Sequence, residues 1–210
     1  MFLAGKRDGK IKVRACADGR DQHGKTEKEE VTSPIVAIVI IFITLDIDAH
    51  EGRDVATIDI TGAFIHAYSD EHIIIVLKGK IALLMCHVAP KLYRKYIIFN
   101  KRGQTCYICE KILKDLYRLL RSALPFYRKL VKDLHKYGLE MNPYNPCVFN
   151  GTNNGKQLTV TFHVDKLKVS HMYLFYMTLF VCSLSTIYAN KLVVHREKVH
   201  DCLGINFDFS

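Results

Sequence analysis

The sequence predicts an α+β fold in which helices pack on an antiparallel sheet, and three stretches carry that expectation. Leu158, Val160, Phe162 and Val164 alternate with polar residues up to Asp165, and polarity returns at Lys168, Ser170 and His171. Period-two alternation on both sides of a short polar break predicts a hairpin over 156–170 with Asp165 near its tip. Val55 to Phe64 is a second β-rich run, which delivers Asp59 and turns at Thr61-Gly62. Within Ile108 to Tyr137, Leu116, Leu120, Ala123, Tyr127, Leu130 and Leu134 recur at three- and four-residue steps, the buried stripe of a helix.

The remaining elements follow in order. Lys10 to Cys16 alternates like a strand and Asp18-Gly19 is a turn signal, while Gln22 to Glu30 reads as a hydrophilic loop. Ser33-Pro34 opens an apolar run, Ile35 to Leu45, as a cap residue with proline at the first helical position. Its Ile and Val content also allows a strand. Asp46, Asp48, His50, Glu51 and Gly52 then read as a polar connection of helix-end or turn residues. Strand-like pieces follow at Ile73 to Leu77, Ile81 to Cys86 and Tyr96 to Phe99, around a basic cluster at Lys91 to Lys95. Pro125 is expected to kink or divide the long helix, and Gly138 to cap it. Asn142 to Gly155 reads as loop and short strand, with a turn at 153–155. Met172 to Asn190 contains no charged residue. Its Ser, Thr and Tyr content favours a largely buried helix over a membrane span. Lys191 to Ser210 reads as a closing hairpin.

The chain has 210 residues, enough for one substantial core, and a formal net charge of +9. A basic balance makes nucleic acid the first polyanionic partner to consider. The seven cysteines are odd in number and scattered, and read as free thiols of a reducing compartment in a protein that is not secreted. Cys106 and Cys109 form a lone CxxC without two further zinc ligands, and a strand there points the two sulfurs to opposite faces. Asp59 and Asp165, each at the end of a strand, are the candidate pair for a divalent cation, because hard cations take carboxylate oxygens held on rigid elements. Asp59 also fits a strand-end residue capping the Thr61-Gly62 turn.

Five segments, in order, resemble the reverse transcriptases of copia-type retrotransposons. Thr57-Ile-Asp-Ile-Thr-Gly-Ala-Phe-Ile-His66 resembles the family's first catalytic motif, Asp-Val-x-x-Ala-Phe-Leu. Phe162 to His171 resembles the second, whose core is aromatic-x-Asp-Asp or x-Val-Asp-Asp. Asp115 to Tyr127 resembles the Leu-Tyr-Gly-Leu-x-Gln-Ser helix, Asn142 to Phe149 the Asn-x-x-Asp-x-Cys-x-Phe strand, and Lys198 to Ile205 the Tyr-Leu-Gly hairpin.

The resemblance implies a right-hand polymerase fold: one reverse transcriptase fragment over 1–210, fingers-like over about 10–55, and palm with inserted fingers elements over about 56–210. It makes 35–45 a helix. The thumb and ribonuclease H regions of a polyprotein are expected to be missing. The implied reaction is RNA-directed DNA synthesis by two-metal nucleotidyl transfer, with Mg2+ or Mn2+ as cofactor and RNA template, DNA primer and deoxynucleoside triphosphates as partners. Asp59 and Asp165 are the implied catalytic and metal-binding residues. Lys12, Arg14, Phe64 and Arg121 fall at nucleotide-binding positions, and Lys114, Arg118 and Gly204 at nucleic-acid-binding ones. For Lys12 and Arg14 a solvated edge strand is the alternative reading, and for Phe64 an ordinary core aromatic. Two basic rows, Lys114, Arg118 and Arg121, then Arg128, Lys132 and Lys136, suit either template contact or a solvated helix face. The resemblance also implies a cytoplasmic, virus-like-particle or nuclear location and no stable membrane association.

Two departures bear on activity. Lys166 stands where the family has its second aspartate, and Arg121 where it has a nucleotide-placing glutamine. Both predict an impaired or inactive copy, and a non-catalytic nucleic-acid-binding remnant is the alternative.

Overall fold

The computed structural model describes residues 2–5, 11–14, 32–69, 73–100, 106–111, 113–114, 116, 119, 122–202 and 205–210. The elements are β1 (Phe2–Gly5), β2 (Ile11–Arg14), α1 (Ile38–Glu51), β3 (Asp54–Ile60), β4 (Ile74–Lys78), α2 (Lys80–Val88), α3 (Pro90–Tyr93), β5 (Ile97–Phe99), β6 (Cys106–Lys111), α4 (Ala123–Tyr137), β7 (Glu140–Asn142), β8 (Asn145–Asn153), β9 (Lys156–His163), β10 (Lys166–His171), α5 (Leu174–Ile187), β11 (Leu192–His195), β12 (Val199–Cys202) and β13 (Ile205–Asp208). A six-stranded antiparallel sheet, ordered β11-β3-β10-β9-β8-β7, is the centre of the molecule. A three-stranded sheet, β4-β6-β5, and two hairpins, β1-β2 and β12-β13, accompany it. The expected α+β class with antiparallel sheets is what the chain adopts.

Alternation decides which side chains meet which helices. Phe162 lies opposite Leu167, and Val160 opposite Val169, on one face of the central sheet. That face meets Phe126, Leu130 and Leu134 of α4 and Met177, Phe180 and Leu184 of α5 in one buried cluster. Tyr127 packs on Phe162 with ring centroids 5.9 Å apart, and Tyr137 meets Phe180 edge-on at 4.9 Å. The opposite face carries Thr57, Thr159, Thr161, Lys168 and Ser170, all buried. It is covered by α1, through Asp48, and by the β12-β13 hairpin, where His200 Nδ1 lies 3.4 Å from Thr57 Oγ1.

The 156–170 hairpin, the turn at Thr61-Gly62, the strands near 74–78, 97–99 and 106–109, and the glycine cap at Gly138 (φ +96) form as expected. So does the turn at Asn154-Gly155, where both residues take positive φ. Within Lys10 to Cys16, the described residues Ile11–Arg14 form β2, which pairs with β1. Residues 18–30 lie outside the described residues.

Several expectations are corrected. The apolar run near 35–45 forms a helix, but it starts at Ile38 behind an extended Ala37 and runs to Glu51. Pro34 therefore precedes the helix, and Asp46 to Glu51 are its last turns rather than a connection. Gly52, at φ +63, supplies the left-handed cap that stops it. Ile81 to Cys86 is not a strand but part of α2, whose Ala, Leu and Met content suits a helix. The long helix is shorter than expected: residues 108–111 are strand and α4 begins at Ala123. Pro125 consequently sits in the first turn, where its missing N–H would have had no helical partner, and it neither kinks nor divides the helix. The 142–155 region is mostly a nine-residue strand, β8. Finally, α5 buries a single stripe and leaves Leu174, Phe175, Leu179 and Ile187 exposed, so it is not largely buried. No helix among the described residues is long and apolar enough to cross a membrane.

Candidate active site

β3 and β10 are antiparallel neighbours, and their register places Lys166 directly opposite Asp59. The turn between β9 and β10 is the two residues Val164 and Asp165. Ile60 N–H donates to the Asp165 carbonyl at 2.9 Å, so the two acid-bearing positions lie at the same end of adjacent strands. Thr61 N–H donates to the Lys191 carbonyl at 2.8 Å and ties the Gly62 turn to the same edge. Gly62 takes φ +68, and a Cβ there would meet the Ile65 side chain at 3.1 Å, so both backbone and space favour glycine.

The turn is strained at Val164, a β-branched residue at φ +58. Such strain persists where surrounding structure overdetermines the backbone, and it clusters at functional sites. Substituting Val164→Asn, which tolerates this conformation, is expected to stabilise the fold by about 1 kcal/mol. A urea midpoint that moves up without a change in slope verifies this, and an unchanged or lower midpoint contradicts it.

Lys166 Nζ lies 4.0 Å from Asp59 Oδ2, and both side chains are 43% exposed. At that exposure the pair stabilises the fold by at most about 1 kcal/mol. Its chemical consequence is larger, because an ammonium takes the place beside Asp59 that a divalent cation would need. His163 faces Lys166 across the turn, and its Nδ1 is buried without a hydrogen-bond partner among the described residues. His66 follows the Gly62 turn, its Nε2 3.3 Å from the Thr61 carbonyl oxygen and its ring edge-on to Tyr188 at 5.2 Å. Partial burial lowers the His66 pKa and favours the neutral ring.

The donor set does not fit a two-metal centre as it stands. Two carboxylates lie at this sheet end, one of them ion-paired to lysine, and no group of three or more metal-ligating side chains occurs among the described residues.

The other sequence-derived positions disperse. Phe64 sits in the 3-10 helix Ala63–His66 and meets Phe126 edge-on at 6.3 Å, half-buried against the main core. Lys114 belongs to no helix: it forms an isolated bridge with Tyr68 and holds its ammonium 5.6 Å from that ring. The helical row expected for Lys114 therefore does not form there. Lys12 and Arg14 lie on β2, and their side chains fall outside the described residues, as do Arg118, Arg121 and Gly204 entirely. Arg128, Lys132 and Lys136 form an exposed row on α4. Cys109 is exposed and pairs in register with Val76.

A buried charge network escaped the sequence reading. Lys168 Nζ donates to Asp48 Oδ2, and Arg53 lies 3.9 Å from Asp48 Oδ1 while donating to Thr159 Oγ1 at 3.0 Å. All three charged side chains are at most 4% exposed. The only signal was Lys168 inside an alternating strand, and it did not say which helix would cover that face.

No family model, curated protein or solved structure matches this chain.

Proposed function

We propose that the chain is a reverse transcriptase-type palm of copia descent whose nucleotidyl-transfer centre, built on Asp59 and Asp165, is disabled by Lys166. The observation that carries the reading is the β3-β10 register, which sets Asp59 opposite Lys166 and beside the hairpin tip bearing Asp165. Strain at Val164 and the Asp59–Lys166 ion pair support it. Polymerase chemistry of this type needs carboxylates to gather two cations about 4 Å apart. An ammonium in place of the third carboxylate both removes a ligand and repels the ions. In this reading Phe64 belongs to the core rather than to a nucleotide pocket, because its ring is committed to Phe126.

A second reading, a nucleic-acid-binding remnant without catalysis, is favoured by the exposed α4 row of Arg128, Lys132 and Lys136. It needs no metal and suits a cytoplasmic or nuclear setting. Filter binding of a labelled deoxynucleoside triphosphate with and without magnesium separates the two. Metal-dependent binding that appears in Lys166→Asp but not in the unaltered chain supports the palm reading, and salt-sensitive binding of labelled RNA with no metal-dependent nucleotide binding in either protein supports the second.

A further inference from the structure

A pocket of about 330 Å³ opens between α1 and the strand pair β8-β9. Asp48 is part of its lining. Lys168 occupies its Oδ2, and its Oδ1, buried and facing Arg53 only at 3.9 Å, has no hydrogen-bond partner among the described residues. A buried acceptor left in this state is costly, so a hydrogen-bond donor placed there is favoured.

The strand side presents donors. Asn142 Oδ1 accepts the Tyr144 N–H at 2.9 Å, and Asn145 Oδ1 accepts the Cys147 N–H at 2.9 Å. A backbone N–H only donates, so each of these carboxamides must turn its NH2 the other way. Asn150 Oδ1 accepts from Gln157 Nε2 at 2.8 Å, leaving a third NH2 and the Gln157 carbonyl. None of the three NH2 groups donates to a described residue. Charge is already balanced: Lys168 answers Asp48, and Arg53 donates to Glu51 at 2.8 Å. A charged ligand would be desolvated without a free counter-ion, which disfavours it. Ile43 and Ile47 of α1 supply an aliphatic wall.

We propose that this pocket binds a neutral polyhydroxylated ring, a sugar. Each hydroxyl both donates and accepts, so one ring can donate to Asp48 Oδ1 and accept from a neighbouring carboxamide, with its C–H face on the isoleucines. A free monosaccharide and the ribose of a nucleoside share this vicinal-diol chemistry. The inference is independent of the polymerase reading.

The test is titration of the whole ¹⁵N-labelled chain with glucose, ribose, uridine and 2′,3′-dideoxyuridine, following the side-chain NH2 resonances of the three asparagines. Saturable shifts from glucose or ribose support a free sugar. Shifts from uridine, with dideoxyuridine silent, place the diol on a nucleoside and also support the proposal. Asn150→Leu and Gln157→Leu, both at solvent-accessible positions, are each expected to weaken binding roughly tenfold while leaving the backbone spectrum intact. Asp59→Asn is expected to leave binding unchanged, which separates this pocket from the hairpin site. Dideoxyuridine binding as well as uridine, no saturable shift from any compound at tens of millimolar, affinity untouched by both leucine variants, or affinity lost in Asp59→Asn overturns it.

Discussion

Lys166→Asp is expected to raise the affinity of the chain for Mg2+ on the order of a hundredfold, read by isothermal titration calorimetry. An ammonium 4 Å from a divalent ion is repelled by about 8 kcal/mol at an effective dielectric near 20. The lysine stem can swing part of that charge into solvent, so the recoverable gain is smaller, and about 2.7 kcal/mol corresponds to the hundredfold. The substitution also adds a carboxylate directly across from Asp59. Two like charges opposite each other on neighbouring strands destabilise the metal-free protein slightly. Magnesium should therefore raise the melting temperature of Lys166→Asp and leave that of the unaltered chain where it is. Equal metal affinity in both proteins would mean that Lys166 does not block this sheet end.

The largest effect on stability is expected two residues further along β10, on the same sheet face. Asp48 and Lys168 are buried at 1% and 3% exposure and pair across 120 residues of sequence. Removing one partner, by Asp48→Leu or Lys168→Met, leaves the other buried and unpaired, at a cost of roughly 3–5 kcal/mol. That is a large part of the 5–15 kcal/mol typical of a domain. The double variant Asp48→Leu with Lys168→Met removes both charges together and is expected to recover all but about 1 kcal/mol. Urea unfolding of the four proteins forms a double-mutant cycle. A double variant as unstable as the sum of the singles would show that the pair is not one energetic unit, for instance because Arg53 is the true partner of Asp48.

Much of the sheet was legible because its signals were local. The alternation around Asp165, the Thr61-Gly62 turn and the Asn154-Gly155 turn each rest on neighbouring residues, and each stands where the pattern puts it. Helix limits were less legible, because distant groups decide them. Asp46 to Glu51 look like a polar break, yet Asp48 stays helical where Lys168, on the far strand β10, receives it. Pro125 reads as a breaker only if the helix starts before it, and α4 starts two residues earlier, at Ala123. Ile81 to Cys86 is short and apolar, a pattern compatible with either a helix or a strand until Gly79 and Ala82 are placed. At the candidate site, two acids far apart in sequence do reach the same sheet end. What Lys166 does there depends on which way a long side chain points, and the structure turns it onto Asp59 at 4.0 Å.

Primer extension on an RNA template, with magnesium or manganese, tests the central proposal most directly when the unaltered chain and Lys166→Asp are run side by side. The account predicts no extension by the unaltered chain and measurable extension by Lys166→Asp. Extension by the unaltered chain would contradict it, because two carboxylates and an ammonium would then suffice. Silence from both would also contradict it, because Lys166 would not be the lesion that silences this site.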